Sequence, residues 1–380
     1  MIQSQPMEIH TRWMHRCLEI AQKAAGQTAP NPMVGAVIVD QGLVVGEGFH
    51  PGAGQPHAEV FALRQAGDKA KGATLYVNLE PCNHTGRTPP CTQALMRAGV
   101  GRVVVGMIDP DPRVAGTGIQ ALKAAGIDVI VGVEEAACQA LNQAFVQRII
   151  HQRPLGILKY AMTLDGKIAT TTGHSHWVTG SQARAKVHQL RAICDAVVVG
   201  GNTVRYDNPH LTTHGHSAHN PLRVILSRQL QLPLEANLWL TTTASTLVLT
   251  TPQADPERSK ALTAAGVEVI PLPTLTPATA TQYLYGRGCA QVLWECGGTL
   301  AALAIQDGVI DKVWAFVAPK LVGGTQAPGP VGDLNITTMT SAQPIRDVTW
   351  HALGDDLLIE GSLRAVPQSP EDSSLGINSH

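Results

Sequence analysis

The chain has 380 residues, enough for two domains of ordinary size, each with its own hydrophobic core. Charged residues make up only 15% and the formal net charge is -1, which argues against a basic surface for a nucleic-acid backbone. The apolar runs are broken by glycine or a charge well before the roughly 20 residues that cross a bilayer. We therefore expect small-molecule partners, no nucleic acid and no membrane.

The cysteines and the N-terminal segment both predict a cytoplasmic location. Residues 1–20 contain scattered charges and lack the continuous apolar stretch of a secretion signal. The seven cysteines are an odd number, which is typical of reduced thiols or metal ligands rather than a disulfide framework. Five of them lie in helix-like stretches or beside an apolar strand, where a thiol packs as a small hydrophobic group.

The first predicted domain, residues 8–132, begins with a helix and a hairpin and then alternates strands with helices. A helix is expected from about His57, then a strand that leads to Cys82, and a second helix from about Cys91. Strand, helix and strand complete the pattern, which is typical of a layered α/β domain. The three residues therefore lie at or just before helix starts.

A second α/β domain is expected over residues 154–364. One amphipathic helix over residues 133–153 links the two domains, because Pro154 ends its pattern. Residues 365–380 are rich in proline, serine and acidic residues, so they predict a disordered tail. The strands expected in the second domain are 155–162, 195–200, 222–227, 245–250, 267–270, 290–295 and 312–318.

Three residues of the first domain form a ligand set typical of catalytic zinc. His57, Cys82 and Cys91 supply one imidazole and two thiolates, which leaves the fourth position of a tetrahedral site open for water. The metal would lower the pKa of that water, and Glu59 would carry a proton from it to a departing amine. The pattern predicts hydrolytic deamination of an amidine-like ring carbon.

Two other interpretations fit the same residues. His57 and Glu59 are also typical of a plain helix start, with both cysteines as free thiols. A closed structural zinc site would need a fourth protein ligand, and His84 is the nearest candidate. Replacing Glu59 by glutamine distinguishes these cases, because a structural site would keep its fold and function.

The motif H-A-E at 57–59, P-C at 81–82 and the further Cys91 resemble the cytidine and deoxycytidylate deaminase superfamily. Most members have two residues between the cysteines, whereas this chain has eight, at 83–90. The resemblance implies zinc bound by one histidine and two cysteines, with Glu59 as the proton donor.

The long insert, PCNHTGRTPPC, and the stretch APNPMVG at 29–35 are together similar to the bifunctional deaminase/reductase family of riboflavin biosynthesis. This resemblance extends over about residues 8–362, and it implies that Asn31 contacts the pyrimidine. From its own surroundings, Asn31 is also compatible with a plain turn residue between two prolines.

In the second domain, Gly297, Gly298 and Thr299 follow a strand and precede a helix, where backbone N–H groups can cradle a pyrophosphate. An ordinary strand-to-helix turn has the same pattern, and the Gly-x-Gly-x-x-Gly fingerprint of a Rossmann unit is absent. The segments LKYAMTLDGKIA, HSHWVTG, GGNTVRYDNPHLT and ECGGTLAAL resemble the reductase domain of the same family. That resemblance implies a dihydrofolate-reductase-like fold that binds NADPH.

The resemblance also implies individual contacts in the second domain. Arg191 could clamp a phosphate and Asp207 could orient or protonate the reacting sugar, with Lys159 also near the hydride-transfer centre. Taken singly, Arg191 and Asp207 are more typical of a surface charge or a turn residue. Substrate contacts are matched at Ser175, Arg191, Leu211, His214 and Glu295. Cofactor contacts are matched at Ala161, Trp177, Thr203, Asp207, Ser227, Gly297, Gly298, Thr299, Leu300, Ala301, Ala302 and Leu303.

His214 departs from the family pattern, which reads Leu-Thr-x-Arg where this chain has Leu-Thr-Thr-His. An imidazole holds a dianion less firmly than a bidentate guanidinium does. Phosphate binding at this corner is therefore expected to be weaker, unless Arg205 or Arg223 compensates.

The resemblance as a whole implies two consecutive reactions on phosphorylated pyrimidines. The first domain would deaminate 2,5-diamino-6-(5-phosphoribosylamino)-4-pyrimidinone, and the second would reduce the ribosyl group of the product to ribityl with NADPH. A homodimer and a homotetramer are both compatible with the sequence. The alternative is a tRNA or nucleotide deaminase fused to a ligand-binding domain, which the near-zero net charge disfavours.

Overall fold

In the computed structural model, residues 7–84 and 89–364 are described, and the chain divides into two compact units between Gln152 and Arg153. The disordered tail expected at 365–380 lies outside the described residues. Every helix within the described ranges is too short or too polar to span a bilayer.

The first unit is a five-stranded sheet in the order β2-β1-β3-β4-β5, with helices on both faces. Its first three strands pair antiparallel and its last three pair parallel. The strands are β1 (Gly35–Asp40), β2 (Leu43–Phe49), β3 (Thr74–Leu79), β4 (Arg102–Met107) and β5 (Asp128–Val131). The helices are α1 (Met7–Ala21), α2 (Ala58–Ala66), α3 (Cys91–Ala98), α4 (Thr117–Ala124), α5 (Glu135–Leu141) and α6 (Gln143–His151).

Alternation along the central strands divides the core of this unit into two layers. Leu75 and Val77 of β3 face the layer that contains α2, α3 and α4, whereas Tyr76 faces the layer that contains α1, α5 and α6. The arrangement fixes the starts of α2 and α3 near the end of β3, where the candidate metal ligands lie.

The single linking helix expected over 133–153 is two helices in the structure, because the chain breaks at Asn142. The Asn142 side chain accepts a hydrogen bond from the Met33 backbone N–H at 2.8 Å and donates one to the Met33 carbonyl at 3.0 Å. These long-range bonds hold the break, and they also hold the stretch before β1 in place.

The second unit is a nine-stranded sheet in the order β10-β9-β8-β7-β11-β6-β12-β14-β13. In this sheet order, the seven neighbouring strands from β10 through β12 pair parallel. The last two strands, β14 and β13, pair antiparallel with their neighbours. The strands are β6 (Leu155–Thr163), β7 (Ala196–Gly200), β8 (Leu222–Leu226), β9 (Thr246–Thr250), β10 (Glu268–Pro271), β11 (Gln291–Trp294), β12 (Lys312–Ala318), β13 (Arg346–Leu353) and β14 (Asp356–Ser362). The helices are α7 (Ser181–Ala192), α8 (Gly201–Asp207), α9 (Pro256–Ala264), α10 (Pro277–Gly286) and α11 (Gly298–Gln306). Short 3-10 turns lie at Gln22–Ala24, Gly67–Ala70, Asn237–Trp239 and Met339–Ser341.

All seven strands expected in the second unit are present, whereas the hairpin formed by β13 and β14 was missed. β13 lies exposed at the sheet edge, but Val348, Trp350 and Ala352 alternate with polar residues there, so this strand did leave a signal in the sequence. Because β7, β8 and β11 are parallel, the residues that follow their carboxyl ends meet at one edge of the sheet.

Candidate active sites

Three metal-ligand atoms converge in the first unit, and we call His57, Cys82 and Cys91 the zinc site. His57 Nδ1 lies 3.3 Å from Cys91 Sγ and 3.5 Å from Cys82 Sγ, and the three ligand atoms lie within 4.8 Å of one another. Nitrogen and sulfur ligands of a tetrahedral zinc ion are about 3.5 Å apart. The donor set and its spacing therefore fit zinc.

Local structure explains how these ligands are held. His57 is the N-terminal cap residue of α2, and Cys91 is the first residue of α3. The backbone N–H of Cys91 donates to Cys82 Sγ at 3.4 Å. Hydrogen bonding from the Cys91 and His57 side chains lowers the pKa of Cys82, which favours the thiolate that binds metal.

Glu59 lies in the first turn of α2 and is buried beside the ligands. Its Oε2 atom has no hydrogen-bond partner among the described residues. Burial raises the pKa of Glu59, and the negative charge of Cys82 raises it further. A carboxylate with a free oxygen and a raised pKa is suited to taking up and releasing a proton near neutral pH.

His50 connects Asn31 with the zinc site. The His50 ring is 5.6 Å from the His57 ring, and its Nδ1 lies 3.1 Å from the Pro56 carbonyl oxygen. A carbonyl can only accept, so Nδ1 carries the proton, and Nε2 of the neutral ring accepts from Asn31 Nδ2 at 3.1 Å. Sequence reasoning missed His50, because a histidine after a strand carries no motif.

Glu80, two residues before Cys82, was also missed. Its carboxylate accepts four backbone N–H groups, at 2.9–3.2 Å, from the loop after β4 and the start of α4: Asp109, Gly116, Gly118 and Ile119. These bonds fix the loop and the helix beside the chain segment that carries Cys82. A lone glutamate before Pro-Cys gives no sign of partners 29 to 39 residues away.

A large cleft opens at the carboxyl edge of the second sheet, with a volume of about 1620 Å³. Its lining includes Lys159 of β6 and Gly200 and Gly201 between β7 and α8. All five residues expected to contact substrate line it. The residues expected to contact cofactor that line it are Ala161, Trp177, Thr203, Asp207, Ser227, Gly297, Gly298, Thr299, Leu300 and Leu303.

A buried ion cluster lies at the floor of the large cleft. Arg191 Nε and Nη2 donate to the two oxygens of Glu295 at 2.6 Å and 3.0 Å, and Lys159 Nζ lies 3.3 Å from Glu295 Oε2. Burial opposes ionisation of Glu295, but the two cations outweigh it and lower its pKa to about 2. Glu295 is therefore ionised at neutral pH.

The glycines at the start of α11 give backbone access to the cleft. A Cβ at Gly298 would lie 2.8 Å from the Gly329 carbonyl oxygen, so only glycine fits there. A Cβ at Gly297 would meet nothing within 4 Å, which leaves open space beside the helix start. Free backbone N–H groups at a helix N-terminus favour a phosphate group, so the site fits a dinucleotide.

Comparison with known proteins shows the relationship of both units. The cytidine and deoxycytidylate deaminase zinc-binding region matches residues 7–107, and the RibD C-terminal domain matches residues 154–359. The riboflavin biosynthesis protein RibD of a Synechocystis strain is 60% identical over 350 residues, which covers 92% of this chain and 95% of that protein. The chain belongs to the RibD family.

Other RibD proteins support the same conclusion. RibD of Aquifex aeolicus is 43% identical over 93% of this chain and 98% of its own length. The solved structure of Acinetobacter baumannii RibD has a TM-score of 0.84 and 40% identity, and the match covers 94% of this chain and 99% of that one.

Membership of the RibD family confirms several expectations from the sequence. The chain is an α/β protein with a deaminase domain followed by a reductase domain, and its activities are those of a hydrolase and an oxidoreductase. Zinc and NADPH are the cofactors of these two domains. The alternative of a deaminase fused to a mere ligand-binding domain is not supported, because the second unit matches the RibD reductase domain.

The structure corrects some residue-level expectations for this RibD-family chain. Arg223 is fully buried under the loop after α8 and donates only to backbone carbonyls, so it does not compensate for His214 in the cleft. Arg205 lines the cleft but donates to the Gln231 carbonyl and to Asn202. Ala301 and Ala302 are buried within the packing of α11 and do not line the cleft.

His84 does not join the zinc site of this RibD-family chain. Its side chain is exposed, and the ligand group found in residues 7–84 and 89–364 contains three members. The structure therefore gives no support to a closed, four-ligand site. Residues 85–88 of the long insert lie outside the described part of the chain.

Proposed function

We propose that this chain converts 2,5-diamino-6-(5-phosphoribosylamino)-4-pyrimidinone in two steps, deamination in the first unit and NADPH-dependent reduction in the second. A solved Thermotoga maritima relative, 36% identical over 94% of this chain with a TM-score of 0.84, is described as the deaminase and reductase for these compounds. The observation that carries the proposal is the unpaired, buried Glu59 oxygen in the same helical turn as a zinc ligand.

In the deaminase step, His57, Cys82 and Cys91 would hold zinc, which when bound acts as a Lewis acid and makes water nucleophilic at neutral pH. Glu59 Oε2 accepts a proton from the attacking water and delivers it to the leaving nitrogen. The exocyclic C–N bond between the ring carbon and its amino group breaks, a C–O bond forms at the same carbon, and the products are a ring carbonyl and ammonia. Asn31 is held by His50 and its side chain has no other hydrogen-bond partner within residues 7–84 and 89–364, so its carbonyl oxygen and second N–H can orient the pyrimidine ring.

In the reductase step, the backbone N–H groups at the start of α11 would hold the phosphates of NADPH, which when bound supplies the hydride. The Asp207 carboxylate accepts a hydrogen bond from Ser175 at 2.8 Å, and we assign it to orient or protonate the reacting sugar. Lys159 also lines the cleft, and its ammonium is fixed by its ion pair with Glu295. Arg191, Leu211 and His214 would contact the substrate.

A two-stage assay tests this proposal. Ammonia release is followed first with the diaminopyrimidinone, and NADPH absorbance is then followed with the same sample. Both signals are expected from the native chain. Ammonia release without NADPH consumption would show that the second step is assigned wrongly.

Glu59→Gln separates the two steps. We expect it to lower ammonia release by about 10²- to 10⁴-fold while NADPH oxidation on the pre-formed deaminated substrate continues. Glu19→Gln is the matched control, because Glu19 is exposed on α1 of the same unit and should leave both steps unchanged. Unaltered deamination by Glu59→Gln would instead identify a structural zinc site.

We also propose a cytoplasmic location, supported by Cys82 and Cys91, which must stay reduced to serve as metal ligands. The homodimer or homotetramer stays a prediction, which light scattering of the purified chain would test.

A further inference from the structure

Four histidines gather around Arg191 at one end of the large cleft, and we call these five residues the histidine corner. His188 of α7 stacks on His214 with ring centroids 4.2 Å apart and an angle of 24°. The His216 ring lies 5.7 Å from that of His188, and the His210 ring meets that of His214 edge-on at 6.4 Å. His188, His210, His214 and Arg191 all line the cleft.

The histidine corner is rich in potential positive charge and poor in carboxylates. Glu295 is the acid that faces it, and both of its oxygens are already bonded, to Arg191 and to Lys159. The buried Arg223 adds a further cation beneath the loop, through its contact with the His210 carbonyl. Among the described residues, none of the four imidazoles forms an ion pair with a carboxylate.

Burial and mutual repulsion keep the stacked rings neutral when no anion is present. Burial, together with the neighbouring His214, Arg191 and His216 and against the opposing effect of Glu295, lowers the pKa of His188 to about 4. His214 is exposed, but the protein atoms around its ring displace some water, and this effect together with Arg191, His210 and His216 lowers its pKa. Two cations only 4.2 Å apart would repel each other strongly, so the stack can hold one proton but not two.

We propose that the histidine corner binds the phosphate group of the substrate with uptake of one proton by the His188–His214 stack. This inference rests on the proposed function, and it adds His188 as a residue that determines anion affinity. A dianion placed at the stack cancels the repulsion from Arg191 and favours the imidazolium. The stack then provides the cation that a guanidinium would carry permanently.

The direction of the pH dependence follows from linkage. The stack is neutral in the free protein at neutral pH, and its pKa rises when the anion binds, so binding takes up a proton. Anion affinity therefore increases as the pH falls through the pKa of the complex. It levels off once the pH is below the lowered pKa of the free stack.

Calorimetric titration with inorganic sulfate tests the proposal, because sulfate stays a dianion at the pH values used. Saturating NADP⁺ occupies the phosphate positions of the cofactor, and buffers with different ionisation enthalpies report the protons taken up. We expect up to about one proton per sulfate and an affinity about tenfold higher at about pH 6 than at about pH 8. Absence of sulfate binding, or binding without proton uptake throughout this range, would overturn the proposal.

Three variants sharpen the test. His214→Arg should bind sulfate with no proton uptake and an affinity that changes less than about twofold over the same range. His188→Gln should weaken sulfate binding and move the pH dependence to higher pH, because the repulsive neighbour of His214 is gone. His219→Gln is the matched control, since His219 is exposed on the same loop, outside the cleft lining, and should match the native chain. Equal proton uptake by His214→Arg and the native chain would exclude the stack as the acceptor.

The outcome separates this proposal from the proposed function. Proton-coupled sulfate binding without any NADPH oxidation would support the histidine corner and reject the reductase assignment. Normal NADPH oxidation with proton-free sulfate binding would reject the histidine corner and keep the reductase.

Discussion

The Arg191 guanidinium donates hydrogen bonds of 2.6 Å and 3.0 Å to the two carboxylate oxygens of Glu295 at the floor of the large cleft. The sequence pointed to these two residues as separate substrate contacts, whereas the structure shows them as a buried bidentate pair that Lys159 completes. Removing one member of such a pair leaves a buried charge without its partner. The pair is therefore important for stability as well as for the shape of the site.

Glu295→Gln is expected to lower the free energy of unfolding by about 3–5 kcal/mol at neutral pH, because Arg191 and Lys159 lose their anion. Urea unfolding measures this change. Glu257→Gln on α9 is the control, since Glu257 forms an exposed ion pair with Lys260 that contributes less than about 1 kcal/mol. Equal losses for both variants would contradict the buried pair as a stabilising element.

The same pair predicts the acid sensitivity of the second unit. The pKa of Glu295 is lowered from 4.5 to about 2, so its stabilising effect is complete above about pH 4.5 and is lost as the pH falls towards 2. The stability difference between the native chain and Glu295→Gln should shrink across this window. A difference that stays constant down to about pH 2 would show that the pKa is not lowered.

Cys91→Ser is expected to lose zinc and ammonia release together, because a hydroxyl is a far weaker zinc ligand than a thiolate. Metal analysis of the purified variant measures the zinc content, and NADPH oxidation on the deaminated substrate should persist. Cys17→Ala provides the control, since Cys17 is a buried packing thiol of the same unit. Retention of one zinc per chain in Cys91→Ser would argue against this ligand set.

Glu80→Gln is expected to destabilise the first unit by about 2–4 kcal/mol, because an amide presents N–H groups to two of the four backbone donors that the carboxylate satisfies. Zinc should also be removed more readily by a chelator, since Cys82 is two residues away. Thermal unfolding with and without chelator measures both effects. Glu47→Gln is the control, because it affects only a partly exposed ion pair with Arg16. It should change neither the thermal stability nor the ease of zinc removal by much.

Gly298→Ala and Gly297→Ala are expected to behave differently. A Cβ at Gly298 must displace the loop at Gly329, so the variant should lose about 1–3 kcal/mol of stability and also bind NADPH more weakly. A Cβ at Gly297 meets no protein atom, so stability should hold while NADPH affinity falls. Gly286→Ala, at the end of α10 and also without near neighbours, should leave both unchanged. Fluorescence titration measures the NADPH affinity of each variant. An unaltered NADPH affinity in Gly297→Ala would show that the cofactor phosphates do not bind at the start of α11.

Local patterns in the sequence determined the α/β class, the seven strands that form the parallel part of the second sheet, and the convergence of the zinc ligands. Each depends on neighbours within a few residues: apolar alternation predicts strands, and His57 and Cys91 lie at helix starts that a strand-helix alternation brings to one sheet edge. The family resemblance added the substrate and NADPH, which no spacing alone could supply.

Only the tertiary structure decided the features that depend on residues far apart in the chain. Asn142 breaks the linking helix by bonding to Met33, and Arg223 is buried under backbone carbonyls rather than facing the cleft. The stack of His188 on His214 joins residues of a helix and a loop that lie 26 positions apart in the chain. Contacts of this kind leave no periodicity in the sequence, because what fixes them is the packing of elements that have already formed.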